Sequence, residues 1–143
     1  MPTMTKTLTL AAAFAAVVTA CAPAASAQDV PPGLQAALER NNADYAQLRA
    51  AILAEGWRPV VNPDCQSNVY GGSREEPIQP SGANVCRQLT EIQSCSGDGY
   101  CNMYFSKRGQ TAFLRVMTYG DYGDPDGMTV NGWEMSRDNG VEE

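Results

Sequence analysis

The residues best placed for chemistry are three aspartates in one short segment, Asp121, Asp124 and Asp126. The Asp-Pro-Asp-Gly stretch matches part of an EF-hand loop, whose carboxylate oxygens suit Ca²⁺. The first ligand position of that loop falls on Tyr122 and the twelfth on Trp133, so both carboxylates expected there are missing. The segment therefore favours a solvated turn, with Ca²⁺ as the alternative, and we expect no metal and no other cofactor.

Carboxylates are also the only candidates for acid–base catalysis, because the chain has no His. Glu75-Glu76 and the pair Asp98 with Asp121 are the candidates, although a glycosidase needs its two carboxyls about 5–10 Å apart across a cleft. A Ser nucleophile would need Lys as its base. The candidate Lys107 lies in a predicted hairpin tip, where exposure to solvent would make it a poor base. This set of candidate residues favours a non-enzymatic protein, and a small hydrolase that uses carboxylates alone is the alternative.

The charge of the chain restricts its partners. The 143 residues carry a formal net charge of −6, and the only adjacent basic pair is Lys107–Arg108. Nucleic-acid binding needs clustered cations that release counterions, so nucleic acid is excluded as a partner. An acidic chain is instead steered towards basic partners, and an inhibitor of a basic secreted enzyme such as lysozyme is one concrete form of this hypothesis.

The first 27 residues have the pattern of a secretory signal peptide. Lys6 precedes an apolar run from Leu8 to Val18, and Ala25-Ser26-Ala27 supplies an A-x-A exit. The run is shorter than the ~20 residues that a membrane-spanning helix needs. A second exit is open, because Val18-Thr19-Ala20-Cys21 resembles a bacterial lipobox, which would end the signal at residue 20 and lipidate Cys21. The prediction is a periplasmic or secreted protein with one domain over 28–143, or one anchored by lipid in the outer membrane.

Four cysteines remain after the signal: Cys65, Cys86, Cys95 and Cys101. An even number in an exported chain predicts two disulfides, because that compartment is oxidising. The Ser-Gly-Asp-Gly turn between Cys95 and Cys101 lets these two face each other across a hairpin, which leaves Cys65 to pair with Cys86. A zinc site usually brings its ligands in close pairs, and these gaps are too wide for that.

Periodicity along 28–143 predicts an α+β fold. Helical spacing indicates a short helix over 34–40 and an amphipathic helix over 43–55, with Asn41-Asn42 as its cap and Gly56 after its end. An edge strand over 57–61 follows, and 62–84 is predicted to be a loop pinned by the Cys65–Cys86 bridge.

The second half of the chain changes to a period of two. Strands are predicted over 89–94, 100–105, 111–119 and 128–135, joined by tight turns. Together with the edge strand this predicts an N-terminal helix, or short helical pair, packed on a meander of four to five antiparallel strands.

Three short motifs lie on this layout: Gly56-Trp57-x-Pro59 after the helix, Cys95-Ser96-Gly97 with Cys101 nearby, and a closing Gly132-Trp133. In them the chain resembles small exported bacterial proteins of unknown function over residues 43–135. The resemblance implies this fold and an exported location. It implies no activity, and no site residue follows from it.

Strand alternation also points to a contact surface. Tyr100 and Tyr104 share one face of their strand, opposite Cys101, Met103 and Phe105. Tyr on an exposed sheet face is typical of protein interfaces, so we expect Tyr100 and Tyr104, with Glu75 and Glu76 of the long loop, to form a partner surface. The function predicted is therefore a non-enzymatic binding or accessory module of the cell envelope, whose partner is an envelope or extracellular protein.

Overall fold

The structure, a computed structural model, describes residues 30–141. The predicted signal peptide and the lipidation position Cys21 lie outside the described residues. In chain order the elements are helices α1 (Pro32–Leu38) and α2 (Tyr45–Ala54), strand β1 (Arg58–Pro59), helices α3 (Cys65–Tyr70) and α4 (Val85–Gln88), and strands β2 (Ile92–Cys95), β3 (Tyr100–Ser106), β4 (Phe113–Gly120) and β5 (Met128–Ser136), with a 3₁₀ turn, Pro125–Gly127, before β5.

The five strands form one antiparallel sheet. β3 pairs with β4 on one side and with both β1 and β2 on the other, and β5 pairs with β4 at the edge. Helices α1 and α2 contact β5, and α3 packs on β2. The predicted α+β fold, with helices on an antiparallel meander and two disulfides, is confirmed.

One face of the sheet and the helices together enclose the core. Cys101, Met103 and Phe105 of β3 point into it, as their alternation predicts, and Leu114 and Val116 of β4 lie beside them. The helices and the segment after α2 contribute Leu34, Leu38, Tyr45, Leu48, Ile52 and Trp57, all of which are buried. The opposite face of the sheet, called the outer face below, carries the alternate side chains of β3 and β4, among them Tyr100, Tyr104 and Tyr119.

Helix α2 shows how local signals place its ends. Tyr45, Leu48 and Ile52 recur at helical spacing and are buried. The cap is Asp44 rather than the predicted Asn41-Asn42, because its side chain accepts a hydrogen bond from the Gln47 N–H. After the helix, Gly56 adopts a positive φ of 87°, the backbone conformation expected where glycine ends a helix.

The long segment between β1 and β2 is not the uninterrupted loop that the sequence predicts. Residues Cys65–Tyr70 form α3 and Val85–Gln88 form α4. Cys65 and Val69 are buried one helical turn apart, which is too short a stripe to stand out in the sequence. Packing against β2 stabilises this helix, because a six-residue helix is marginal alone.

The two predicted disulfides are both present. The helix disulfide, Cys65–Cys86, joins α3 to α4, and its loop spans 21 residues. The hairpin disulfide, Cys95–Cys101, joins β2 to β3 at directly opposed positions with the Cα atoms 4.1 Å apart. Each pins a segment with few apolar side chains of its own, which is where a covalent link contributes most to a small domain.

Candidate functional site

Two tyrosines dominate one end of the outer face. Tyr100 begins β3 and lies directly opposite Tyr119 near the end of β4. Their ring centroids are 4.7 Å apart with the planes tilted by 46°. Tyr100 is 50% exposed and Tyr119 is 48% exposed, so each ring keeps about half of its surface open to solvent. We call this pair the tyrosine end.

Two turns lie side by side at the tyrosine end because their glycines touch. The Gly120 N–H donates to the Gly99 carbonyl over 3.1 Å. A Cβ on Gly99 would lie only 2.7 Å from the Gly120 carbonyl oxygen, and both residues have positive φ. This close approach brings the β2–β3 turn against the start of the β4–β5 turn.

Both turns are acidic. Asp98 lies two residues before Tyr100, and Asp121 lies two residues after Tyr119. Asp124 and Asp126 follow in the same turn, and all four carboxylates are exposed. No Lys or Arg occurs over 88–106 or over 116–136. The tyrosine end is therefore an aromatic pair with an acidic rim and no basic residue on the flanking turns.

The three aspartates predicted as a weak Ca²⁺ site do not converge. The Asp121 Oδ1 accepts from the Gly123 N–H over 2.8 Å, and the Asp124 Oδ1 accepts from the Asp126 N–H over 3.1 Å. Each of these two carboxylates thus supports its own turn, the behaviour expected of Asp in such positions. Over residues 30–141, no three His, Cys, Asp or Glu side chains lie together as metal ligands would.

The predicted exposure of Tyr104 is wrong. Tyr104 shares the outer face with Tyr100, but it is only 7% exposed. The backbone of Gly140 lies on its ring, and the Arg115 guanidinium lies 5.9 Å from the ring centroid. Burial raises the pKa of the Tyr104 hydroxyl, an effect that the nearby Arg115 charge opposes.

Glu75 and Glu76 are exposed, as predicted, in a small hairpin between α3 and α4. The hairpin is closed by an isolated bridge between Gly72 and Pro77. Its tip is fixed from one side by Arg74, which forms an ion pair with Asp64 at the start of α3. Just before this hairpin, the ring of Tyr70 contacts the ring of Tyr122 in the β4–β5 turn, with the centroids 6.5 Å apart.

A buried ionic cluster is the feature that the sequence did not reveal. Glu91 is completely buried just before β2, where its Oε1 accepts from the Tyr45 hydroxyl over 2.7 Å and from the Arg49 Nε over 2.5 Å. The Arg49 Nη2 donates to the other carboxylate oxygen over 3.1 Å. Burial, with the Glu91 charge and hydrogen bond, raises the pKa of Tyr45 well above its usual value.

This cluster is structural. All of its donors are directed at one carboxylate, which leaves that carboxylate little capacity to take a proton from a substrate. Tyr45 could be assigned to the core from its helical spacing, but no local signal marks Glu91 as buried.

Two cavities lie elsewhere than over the tyrosine rings. One is a cleft of about 420 Å³ between α1 and α2, lined by Ala37, Arg40 to Asp44, Gln47, Leu48 and Ala51. The other, of about 320 Å³, is a shallow hollow beside Tyr70, residues 80–83 and Gly123. Neither is lined by Tyr100 or Tyr119, so the aromatic pair stands on an open surface rather than in a pocket.

Comparison with known protein families, curated proteins and solved structures finds no match to this chain. The site is therefore interpreted from its own chemistry. Two disulfides are typical of a protein from an oxidising compartment. Within residues 30–141, no helix is long and apolar enough to cross a membrane.

Proposed function

We propose that this chain is an exported, non-enzymatic binding module that holds a basic protein partner at the tyrosine end of its sheet. The observation that carries the proposal is the half-exposed Tyr100–Tyr119 pair set between two acidic turns. An inhibitor of a basic secreted enzyme is one form that such a module would take.

The aromatic pair provides contact area at low entropic cost. Tyr has only two side-chain torsions, and here each ring is already held against the other. Tyr is enriched at protein interfaces, where a few buried aromatic anchors account for most of the binding energy. The faces of Tyr rings also attract Lys and Arg side chains, by about 0.5–1 kcal/mol at exposed sites.

Charge selects the class of partner. The four exposed aspartates of the flanking turns concentrate negative charge at this end of the domain, and residues 88–106 and 116–136 carry no basic side chain. Such a field accelerates encounter with cationic surfaces and disfavours acidic ones. A basic partner therefore gains both from steering at a distance and from cation–π contact at the rings.

A protein partner suits this surface better than a small ligand does. Small molecules are usually bound in concave sites that enclose most of their surface, whereas Tyr100 and Tyr119 each leave about half of their surface open and line neither of the two cavities described above. Hydrolysis by carboxylates receives less support, because the candidate acids Glu75, Glu76, Asp98 and Asp121 are all exposed in turns rather than set in a cleft. Export to the periplasm or the extracellular space accords with the disulfides and with the signal-like N-terminus.

The proposal is tested by affinity capture from an envelope extract of the host at about 0.15 M salt. The bait is the wild-type protein, compared with a Tyr100→Thr/Tyr119→Thr variant that keeps strand propensity and net charge. We expect wild type to retain a protein of basic pI and the variant to lose it. With the purified partner, the affinity of the variant should fall at least tenfold, since each lost anchor is worth ~1–2 kcal/mol.

A matched pair of charge variants separates local recognition from net charge. Asp98→Asn/Asp121→Asn removes two acids at the tyrosine end, and Asn at 121 keeps the oxygen that caps the turn. Glu39→Gln/Glu55→Gln removes two exposed acids next to the helices. Only the first variant should weaken binding. An empty capture, an acidic partner, or equal retention by the Tyr variant overturns the proposal.

A further inference from the structure

The five described residues after β5 lie against the outer face of the sheet. We call residues 137–141 the C-terminal strap. Gly140 has a φ of 75°, and a Cβ there would lie 2.7 Å from the Tyr104 ring and 2.9 Å from the Gln93 Cγ. The strap backbone therefore rests directly on Tyr104 and Gln93, an approach that requires glycine.

The hydrogen bonds of the strap are local. The Asp138 N–H donates to the Ser136 Oγ, the Gly140 N–H donates to the Asp138 Oδ1, and the Val141 N–H donates to the Asn139 Oδ1. Among the hydrogen bonds described for residues 30–141, the bond to Ser136, the last residue of β5, is the only one that joins the strap backbone to another element. The strap is thus held down by packing, and segments held in this way open at low free-energy cost.

A polar group beneath the strap lacks a partner. Gln93 is 2% exposed, and its Nε2 donates to the Val60 carbonyl over 2.6 Å. Its Oε1 has no hydrogen-bond donor among the described residues. A buried acceptor without a donor is unfavourable, and Gly140 of the strap lies against this same side chain.

Tyr104 also connects the covered region to the tyrosine end. It lies on the same strand face as Tyr100, four residues along β3, which corresponds to about 13 Å. Removal of the strap would extend the exposed aromatic surface from two rings to three.

We propose that the C-terminal strap is a displaceable cover over part of the partner surface, and that a basic protein bound at the tyrosine end lifts it to reach Tyr104 and Gln93. The N–H groups of the partner supply the donor that the Gln93 Oε1 lacks. This inference rests on the proposed function. Binding then requires the strap to open. The measured affinity is therefore the affinity of the open form multiplied by the fraction of molecules in which the strap is open.

The test uses variants of the full chain that prevent the strap from seating. Gly140→Ala introduces both a Cβ clash and an unfavourable φ. Gly140→Asn introduces the clash, but Asn tolerates positive φ. Gly82→Ala is the matched control, because nothing lies within 4 Å of its added Cβ. Urea unfolding confirms that each variant is folded.

Tyrosine nitration by tetranitromethane, mapped by peptide mass spectrometry, reports whether the strap is closed. We expect Tyr100 and Tyr119 to be nitrated in every protein. Tyr104 should react slowly in wild type and in Gly82→Ala, and at least fivefold faster in both Gly140 variants. Equal Tyr104 reactivity in all four proteins overturns the inference, and this readout needs no partner.

Affinity for the captured basic protein provides the second readout. Both Gly140 variants should bind it two- to tenfold more tightly than wild type, since the strap no longer has to be displaced. Unchanged or weaker binding after confirmed opening overturns the inference alone. Loss of binding in the Tyr100→Thr/Tyr119→Thr variant would still support the proposed function, so the two failures are distinguishable.

Discussion

The buried cluster around Glu91 predicts a specific pattern of destabilisation. Arg49 supplies two of the three hydrogen bonds to this carboxylate, and its side chain is 26% exposed whereas that of Glu91 is 0% exposed. Arg49→Met leaves Glu91 buried with Tyr45 as its only remaining donor in the cluster. Removal of one partner from a buried ion pair costs about 3–5 kcal/mol, and the partial exposure of Arg49 places this variant near the lower value.

Replacement of the whole cluster should restore most of that loss. Tyr45→Phe alone removes one hydrogen bond to a charged group, worth about 1.5–3 kcal/mol. In the triple variant Tyr45→Phe/Arg49→Met/Glu91→Leu no charge or donor of the cluster is left unpaired. Apolar replacement of a buried ion pair often leaves stability unchanged, so the free energy of unfolding of the triple variant should lie within ~1 kcal/mol of the wild-type value.

Urea unfolding followed by far-ultraviolet circular dichroism, with both disulfides oxidised, measures these free energies. The free energy of unfolding of a small domain is only about 5–15 kcal/mol, so a loss of 3 kcal/mol clearly lowers the urea concentration at the unfolding midpoint. The reasoning is refuted if the triple variant is as unstable as Arg49→Met. That result would mean that volume and packing at these positions, rather than an uncompensated charge, determine the loss.

Three further predictions follow from single features. Above about pH 10 the unfolded chain deprotonates at Tyr45, whereas the folded chain keeps the proton because its Tyr45 pKa is raised. The free energy of unfolding should therefore fall by up to ~1.4 kcal/mol per pH unit as pH rises. Urea unfolding at pH 9, 10 and 11 measures this slope, which should be shallower in Tyr45→Phe. Replacement of both cysteines by alanine should lower the free energy of unfolding by about 3 kcal/mol for the helix disulfide and by about 2 kcal/mol for the hairpin disulfide. The order follows because the entropy of loop closure grows with loop length. Equal shifts in Tm would contradict it. Gly99→Ala should destabilise by about 1–3 kcal/mol, because its Cβ meets the Gly120 carbonyl at positive φ, whereas Gly97→Ala, which has open space, should change the Tm little.

Local patterns in the sequence were sufficient for the two N-terminal helices, the strands and the two disulfides. Alternation placed Cys101, Met103 and Phe105 on the core side of β3, and the turn between Cys95 and Cys101 paired these two cysteines. These inferences succeeded because side-chain direction in a strand and closure of a short hairpin depend on neighbouring residues alone.

Two kinds of sequence signal were harder to interpret: a buried stripe only one helical turn long, and a capping residue with other good caps a few positions away. The capping role went to Asp44 rather than to Asn41 or Asn42, although Asn and Asp are both good caps. Helix α3 was missed because its buried stripe contains only two residues and its stability comes from packing on β2. Element boundaries elsewhere differ by a few residues for the same reason.

The sequence by itself determined which side of β3 Tyr100 and Tyr104 occupy, because that depends only on parity along the strand. Tertiary structure decided that the two residues differ in exposure. Gly140, far along the chain, covers Tyr104, and pairing with β4 places Tyr119 beside Tyr100. Burial is a property of what packs above a residue, and the packing element here comes from 36 positions away, beyond the range of any periodic pattern.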